Sequence, residues 1–143
     1  MRVDTFERFS QGRLHAGATT ANLDAFPWKE HKEFPGVFLK TVLTEENTGS
    51  PLSCLLVRIE PGRRIGLHRH PASVELHEVI AGEGVCFLEG VEMPYAPGSV
   101  AVMPRDAAHE VLAGAEGVYL FAKFVATAGA HQHRVASACA RTH

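Results

Sequence analysis

The sequence predicts a single all-β domain, a barrel or sandwich of short antiparallel strands. Three observations carry this. From Gly36 onward, short apolar runs alternate with turn-forming stretches. None of these runs keeps a 3.6-residue period over helical length. The connections are also too short for parallel crossovers, which take roughly a dozen residues. In order, the runs cover residues 37–43, 52–59, 74–80, 85–88, 99–103, 110–112 and 118–125. Between them lie Asn47-Thr48-Gly49-Ser50-Pro51, Pro61-Gly62, Gly82-Glu83-Gly84, Pro97-Gly98 and Ala113-Gly114, residue types that favour turns. Residues 1–35 mix charges with Phe6, Phe9, Phe26, Trp28 and Phe34 and read as an N-terminal arm or short strands. Residues 36–125 form the β domain. The small and polar tail, 126–143, reads as a frayed end or short helix.

Composition narrows the function classes. The 143 residues suit one core, and 45% hydrophobic with 21% charged residues is ordinary globular composition. Fourteen basic and sixteen acidic residues give a net charge of −2, and the densest basic patch, Arg63, Arg64 and Arg69, is too small to argue for nucleic acid. No stretch reaches the roughly 20 apolar residues of a membrane span. The charged N-terminus lacks the apolar core of a signal peptide. Cys54, Cys86 and Cys139 are widely spaced and odd in number, which reads as free thiols, and a cytoplasmic location is expected.

The chemistry concentrates in two segments. In the first, Gly62 leads to His68, His70, Glu75 and Gly82. Alternate residues of a strand share a face, about 6.6 Å apart, so His68 and His70 point the same way and can lean onto one ion. Pro71 cannot continue a central ladder, so the chain is expected to turn at 71–74 and return antiparallel, bringing Glu75 beside the imidazoles. In the second segment, an apolar strand after Gly98 ends at Pro104, turns through Asp106 and delivers His109.

Together these residues resemble both signature motifs of the cupin superfamily. The first motif, G-x5-HxH-x4-E-x6-G, is met at every position by Gly62, His68, His70, Glu75 and Gly82. The second, G-x5-PxG-x2-H-x3-N, is met by Gly98, Pro104 and His109, with Asp106 and Ala113 replacing its second glycine and its asparagine. Aspartate tolerates the left-handed turn conformation, so Asp106 is a mild departure, and Ala113 removes a polar neighbour but no ligand. The resemblance covers residues 62–113 and implies a double-stranded β-helix, or jelly-roll barrel. It also implies one divalent transition metal (Fe, Mn, Ni, Co or Zn) held by His68, His70, Glu75 and His109, with coordination positions left open.

Other candidates are weighed beside these. Glu78 misses the motif spacing and faces away from Glu75. His77 shares the inward face with Glu75 and Val79 and is the candidate catalytic residue, either orienting Glu75 or serving as acid/base for a bound substrate; the alternative is an interior histidine with no role. Arg58 and Lys123 are expected to point outward, and Tyr119, Phe121 and Phe124 to pack in the core. His131 and His133 form a second HxH pair without further donors at useful spacing. Functionally, the resemblance implies a metal-dependent enzyme acting on a small organic molecule, of dioxygenase, lyase or isomerase type. A non-catalytic, metal-assisted binding module and a purely stabilising metal are the alternatives. A homodimer is expected as well, because the run 118–125 is apolar on both faces apart from Lys123.

Overall fold

A computed structural model describes residues 3–126 of the chain. Helix α1 (Asp4–Gln11) opens it, followed by the hairpin β1 (Arg13–Ala16) and β2 (Thr19–Asn22) and a 3-10 turn at Leu23–Ala25. Next come β3 (Lys29–Glu30), β4 (Val37–Leu43), a single helical turn α2 (Glu45–Thr48) and β5 (Leu52–Ile59). The remaining strands are β6 (Arg64–His68), β7 (Ser73–Leu88), β8 (Val91–Tyr95), β9 (Val100–Met103) and β10 (His109–Ala126). Every strand pairing is antiparallel. Among the described residues, no helix is long and apolar enough to cross a membrane.

The architecture rests on two long strands. The 18-residue β10 and the 16-residue β7 run side by side and each contributes to two layers. Their halves at 118–126 and 73–82 lie in a layer ordered β3-β4-β5-β10-β7-β9. The other halves, at 109–113 and 84–88, lie in a layer ordered β6-β10-β7-β8. One apolar core draws from both layers: Leu55, Val57, Val79, Met103, Leu120 and Phe124 from the first, Ile65, Cys86, Val111 and Ala113 from the second. This is the jelly-roll sandwich that the sequence predicts.

The structure corrects the placing of several elements. Gly82-Glu83-Gly84 and Ala113-Gly114 are corners inside continuous strands, not turns between separate ones. At the corner Gly82 has φ 77°, and a Cβ there would lie 2.1 Å from the carbonyl oxygen of Gly117, whose own φ is 77°. Only glycine permits both that approach and that conformation. Strands β6 and β8 escape the apolar-run reading because their residues alternate or include Pro94, which is tolerated on an edge strand. β6 and β7 are not a hairpin: β6 pairs with β10, so Glu75 reaches the histidines from the opposite layer.

The N-terminal segment holds a helix as well as the expected short strands. At eight residues, α1 spans about two turns, too short to register as a period. Phe6 packs edge-on against Tyr119 at 5.0 Å and near Trp28 at 5.9 Å, while Phe9 meets Phe121 at 5.6 Å. Phe6, Trp28, Tyr119 and Phe121 join Leu23, Val42 and Leu56 in a second apolar cluster on the outer face of the β4-β5-β10 layer. Tyr119 and Phe121 therefore pack here, whereas Phe124 packs inside. The chain's own N-terminal segment thus covers part of the outer face of the 118–125 strand.

Lys40 secures this cover. It is among the most deeply buried side chains, and its Nζ donates to the carbonyl oxygens of Ser10 (2.7 Å) and Leu23 (2.8 Å) while lying 5.5 Å from the Trp28 ring centre. A cation on the last turn of α1 also complements the helix dipole. Lys40→Met keeps the apolar stem and removes both charge-assisted bonds, so it should destabilise the chain by about 2–3 kcal/mol. Hydrogen exchange should accelerate first over residues 4–25, and a variant with unchanged melting and unchanged exchange there would refute the clamp.

Candidate metal centre

Four side chains from different parts of the chain converge at one end of the interior. His68 ends β6, His70 follows it, Glu75 lies on β7 and His109 begins β10. One donor atom from each lies within 4.8 Å of the other three. His70, Glu75 and His109 are buried, and His68 is the half-exposed member, nearest to solvent. The backbone sets this up: His68 and His109 are directly opposed in the β6–β10 ladder, and their rings sit 4.2 Å apart.

The two turns that carry the histidines are tied together. Asp106 donates its N–H to the His70 carbonyl at 2.9 Å, and Arg69 Nη1 donates to the Asp106 carbonyl at 2.7 Å. Asp106 has φ 64°, the left-handed conformation for which aspartate is among the more tolerant non-glycine residues. Its place in the second motif therefore keeps the conformation that a glycine would adopt. The edge of Phe124 closes the inner side, its ring 4.9 Å from that of His70.

Hydrogen bonds orient the donors. His68 Nδ1 lies 2.7 Å from the carbonyl oxygen of Gly66, and His109 Nδ1 lies 2.9 Å from that of Ala107. Each ring is thus held by the carbonyl two residues before it, which puts the proton on Nδ1 and turns the Nε2 lone pair inward. Glu75 Oε1 is hydrogen-bonded to His109 Nε2 at 2.8 Å and lies 3.2 Å from His70 Nε2, while Oε2 accepts from His77 Nε2 at 2.7 Å. His77 Nδ1 continues to the Tyr95 hydroxyl at 2.7 Å.

Electrostatics follow from this packing. Burial would raise the Glu75 pKa, but attraction to His77 and hydrogen bonds from His109, His70 and His77 hold it well below the ordinary carboxylate range. Burial, the neighbouring His109 and His70 lower the His68 pKa to about 4, against the opposing pull of Gly66 and Glu75. Burial also works against protonation of His109, but the hydrogen bond and charge of Glu75 outweigh it and raise its pKa.

The other candidates fall outside the cluster. Glu78 is partly exposed and pairs with Lys123. Arg58 lies over Trp28 and Phe38, with its guanidinium 5.2 and 4.7 Å from their ring centres. His131, His133 and Cys139 lie outside the described residues. Tyr95 escaped the sequence reading: it closes β8, an edge strand whose short run includes Pro94, and nothing in the local pattern marks its hydroxyl as inward.

Comparison with known proteins agrees with this geometry. Residues 55–121 match the family model described as the cupin domain. Residues 55–121 thus match as a cupin domain, and the fold around them is that of a cupin barrel. An oxalate-binding protein of Thermotoga maritima is 29% identical over 55 residues, 38% of this chain and 46% of that relative, so the match spans less than half of its length. Among solved structures, a predicted oxalate decarboxylase of the same organism superposes with TM-score 0.67 at 19% identity, covering 73% of this chain and 96% of the other. KdgF from a Halomonas species superposes with TM-score 0.62 at 22% identity, covering 72% and 88%. At such identities these two structures establish the fold alone.

Titration should separate the histidines. In metal-free protein, His68 is expected to stay neutral until pH approaches about 4, while His109 holds its second proton above the ordinary value of 6.5. Because a ligating imidazole must be neutral, metal affinity should fall as pH drops through the His109 pKa, with His68 a competitor only at much lower pH. Resolved imidazole signals in an NMR titration read both values, and the reverse order would contradict this arrangement.

Proposed function

We propose that the chain binds one divalent transition metal through His68, His70, Glu75 and His109 and uses it to act on a small organic molecule. The supporting observation is the count of protons. His68 and His109 commit Nδ1 to backbone carbonyls, so neutral rings turn bare Nε2 lone pairs toward each other and toward Glu75. A cation satisfies that set as a single proton does not. Three imidazoles and one carboxylate, without thiolate, suit Fe, Mn, Ni, Co or Zn, and the donor types fit the expected ion.

When bound, such a metal supplies Lewis-acid or redox chemistry to a chelating oxygen. The chain's own residues do the rest. Glu75 adds one negative charge to the three neutral rings and so lowers the net charge of the centre. His77 restrains the carboxylate through Oε2. Phe124, buried and packed against His70, shields the inner side. His68, nearest to solvent, stands where a ligand would approach. This favours a dioxygenase, lyase or isomerase acting on a compact molecule with a chelating pair of oxygens.

A second reading, metal-assisted capture without turnover, is favoured by the similarity to an oxalate-binding protein and would take a small oxyacid as ligand. Oxygen uptake and product formation against enolic, phenolic, keto-acid and dicarboxylate compounds separate the readings. Turnover with oxygen consumption supports a dioxygenase, turnover without it a lyase or isomerase, and binding without turnover the capture module.

Metal analysis tests the ligand set directly. His70→Ala should reduce metal content from about one per chain to near zero, whereas Glu78→Ala should leave it unchanged. Full occupancy in the His70 variant would remove His70 from the site. His77→Ala should weaken metal binding or activity about tenfold or more, the usual effect of removing a partner that orients a ligand. Wild-type affinity and activity in that variant would make His77 an ordinary core residue.

A further inference from the structure

Behind the metal-ligand cluster runs a buried hydrogen-bond chain that starts at Glu75 and ends at the Tyr95 hydroxyl. Glu75, His77 and Tyr95 are 4%, 2% and 2% exposed, so water does not compete for their hydrogen bonds. Glu75 Oε2 and His77 Nε2 are 2.7 Å apart, as are His77 Nδ1 and the Tyr95 hydroxyl. The residues come from two strands, β7 and β8, whose ladder sets Gly84 against Tyr95 and Cys86 against Met93.

The donors and acceptors in this chain admit one arrangement when His77 is neutral. A carboxylate only accepts, so His77 must spend its single N–H on Nε2. Its Nδ1 is then an acceptor, and the partner at 2.7 Å must be a donor. Tyr95 is the donor there. Burial raises the pKa of Tyr95, in keeping with a hydroxyl that retains its proton.

We infer that Tyr95 is a positioning residue for the metal centre: by donating to His77 Nδ1 it fixes the tautomer that holds Glu75 by Oε2, so that the carboxylate offers only Oε1 to the ion. The consequence for coordination rests on the metal-binding reading above; the proton arrangement does not. A carboxylate released from His77 can turn and present both oxygens, taking up a position otherwise open to a ligand. Tyr95 therefore acts on the number of open positions without touching the ion.

Two measurements test this, one of which needs no variant. Nitrogen-15 NMR of wild-type, metal-free protein, recorded well above the ordinary histidine pKa of about 6.5, should find the His77 proton on Nε2. A proton on Nδ1, or on both nitrogens, overturns the inference. Co(II) is then titrated into wild type, Tyr95→Phe, His77→Leu and the double variant, following the visible absorption of the bound ion. Tyr95→Phe should weaken Co(II) binding about tenfold and alter the absorption bands as the carboxylate changes its mode. In the His77→Leu background the same substitution should add nothing, because its route to Glu75 is gone. Unchanged bands and affinity in Tyr95→Phe, or an equal effect in both backgrounds, overturns the inference and makes Tyr95 a packing residue. If wild type takes up no Co(II), the metal-binding reading fails, and the NMR result alone decides the hydrogen-bond chain.

Discussion

An ionised carboxylate inside an apolar barrel is strongly disfavoured unless other groups compensate its charge. Glu75 meets that requirement with three imidazole nitrogens on its two oxygens, drawn from both layers of the sandwich. Much of the surrounding structure serves this contact. The corner at Gly82 lets β7 carry Glu75 in one layer and pair with the start of β10 in the other. The turn at Asp106 sets the direction from which His109 enters. Arg69, otherwise a solvent-facing cation, anchors that turn to the HxH segment.

Within the cluster, the rings divide the work. His68 and His109 are oriented by carbonyls of their own strands, so local backbone geometry aims them. Glu75 has no such local restraint and is aimed by another side chain, His77, which is itself held by Tyr95. The carboxylate thus depends on side-chain contacts alone, and the one on Oε2 is His77.

Much of the fold was legible in the sequence because alternation and turn residues report burial directly. The β4, β5 and β9 segments lie where apolar runs predict them. The four clustered donors were legible too, through the resemblance of their spacing to the two cupin motifs. Other features were not. A glycine corner inside a strand has the same local composition as a turn between two strands, so β7 and β10 read as four pieces. The helix α1 is too short for its period to show. The expected return of Glu75 beside β6 failed because a turn at Pro71 does not specify which strand the chain pairs with next. Tyr95 illustrates the deepest limit: its role depends on a partner 18 residues away, reached only through the β7–β8 register.

The sharing of β7 and β10 between both layers has a thermodynamic corollary. Neither layer can melt while the other persists, because the same two chain segments supply the central strands of each. The sandwich should therefore unfold as one cooperative unit, and an ion bridging the layers would raise the stability of the whole barrel by mass action instead of stiffening one edge of it.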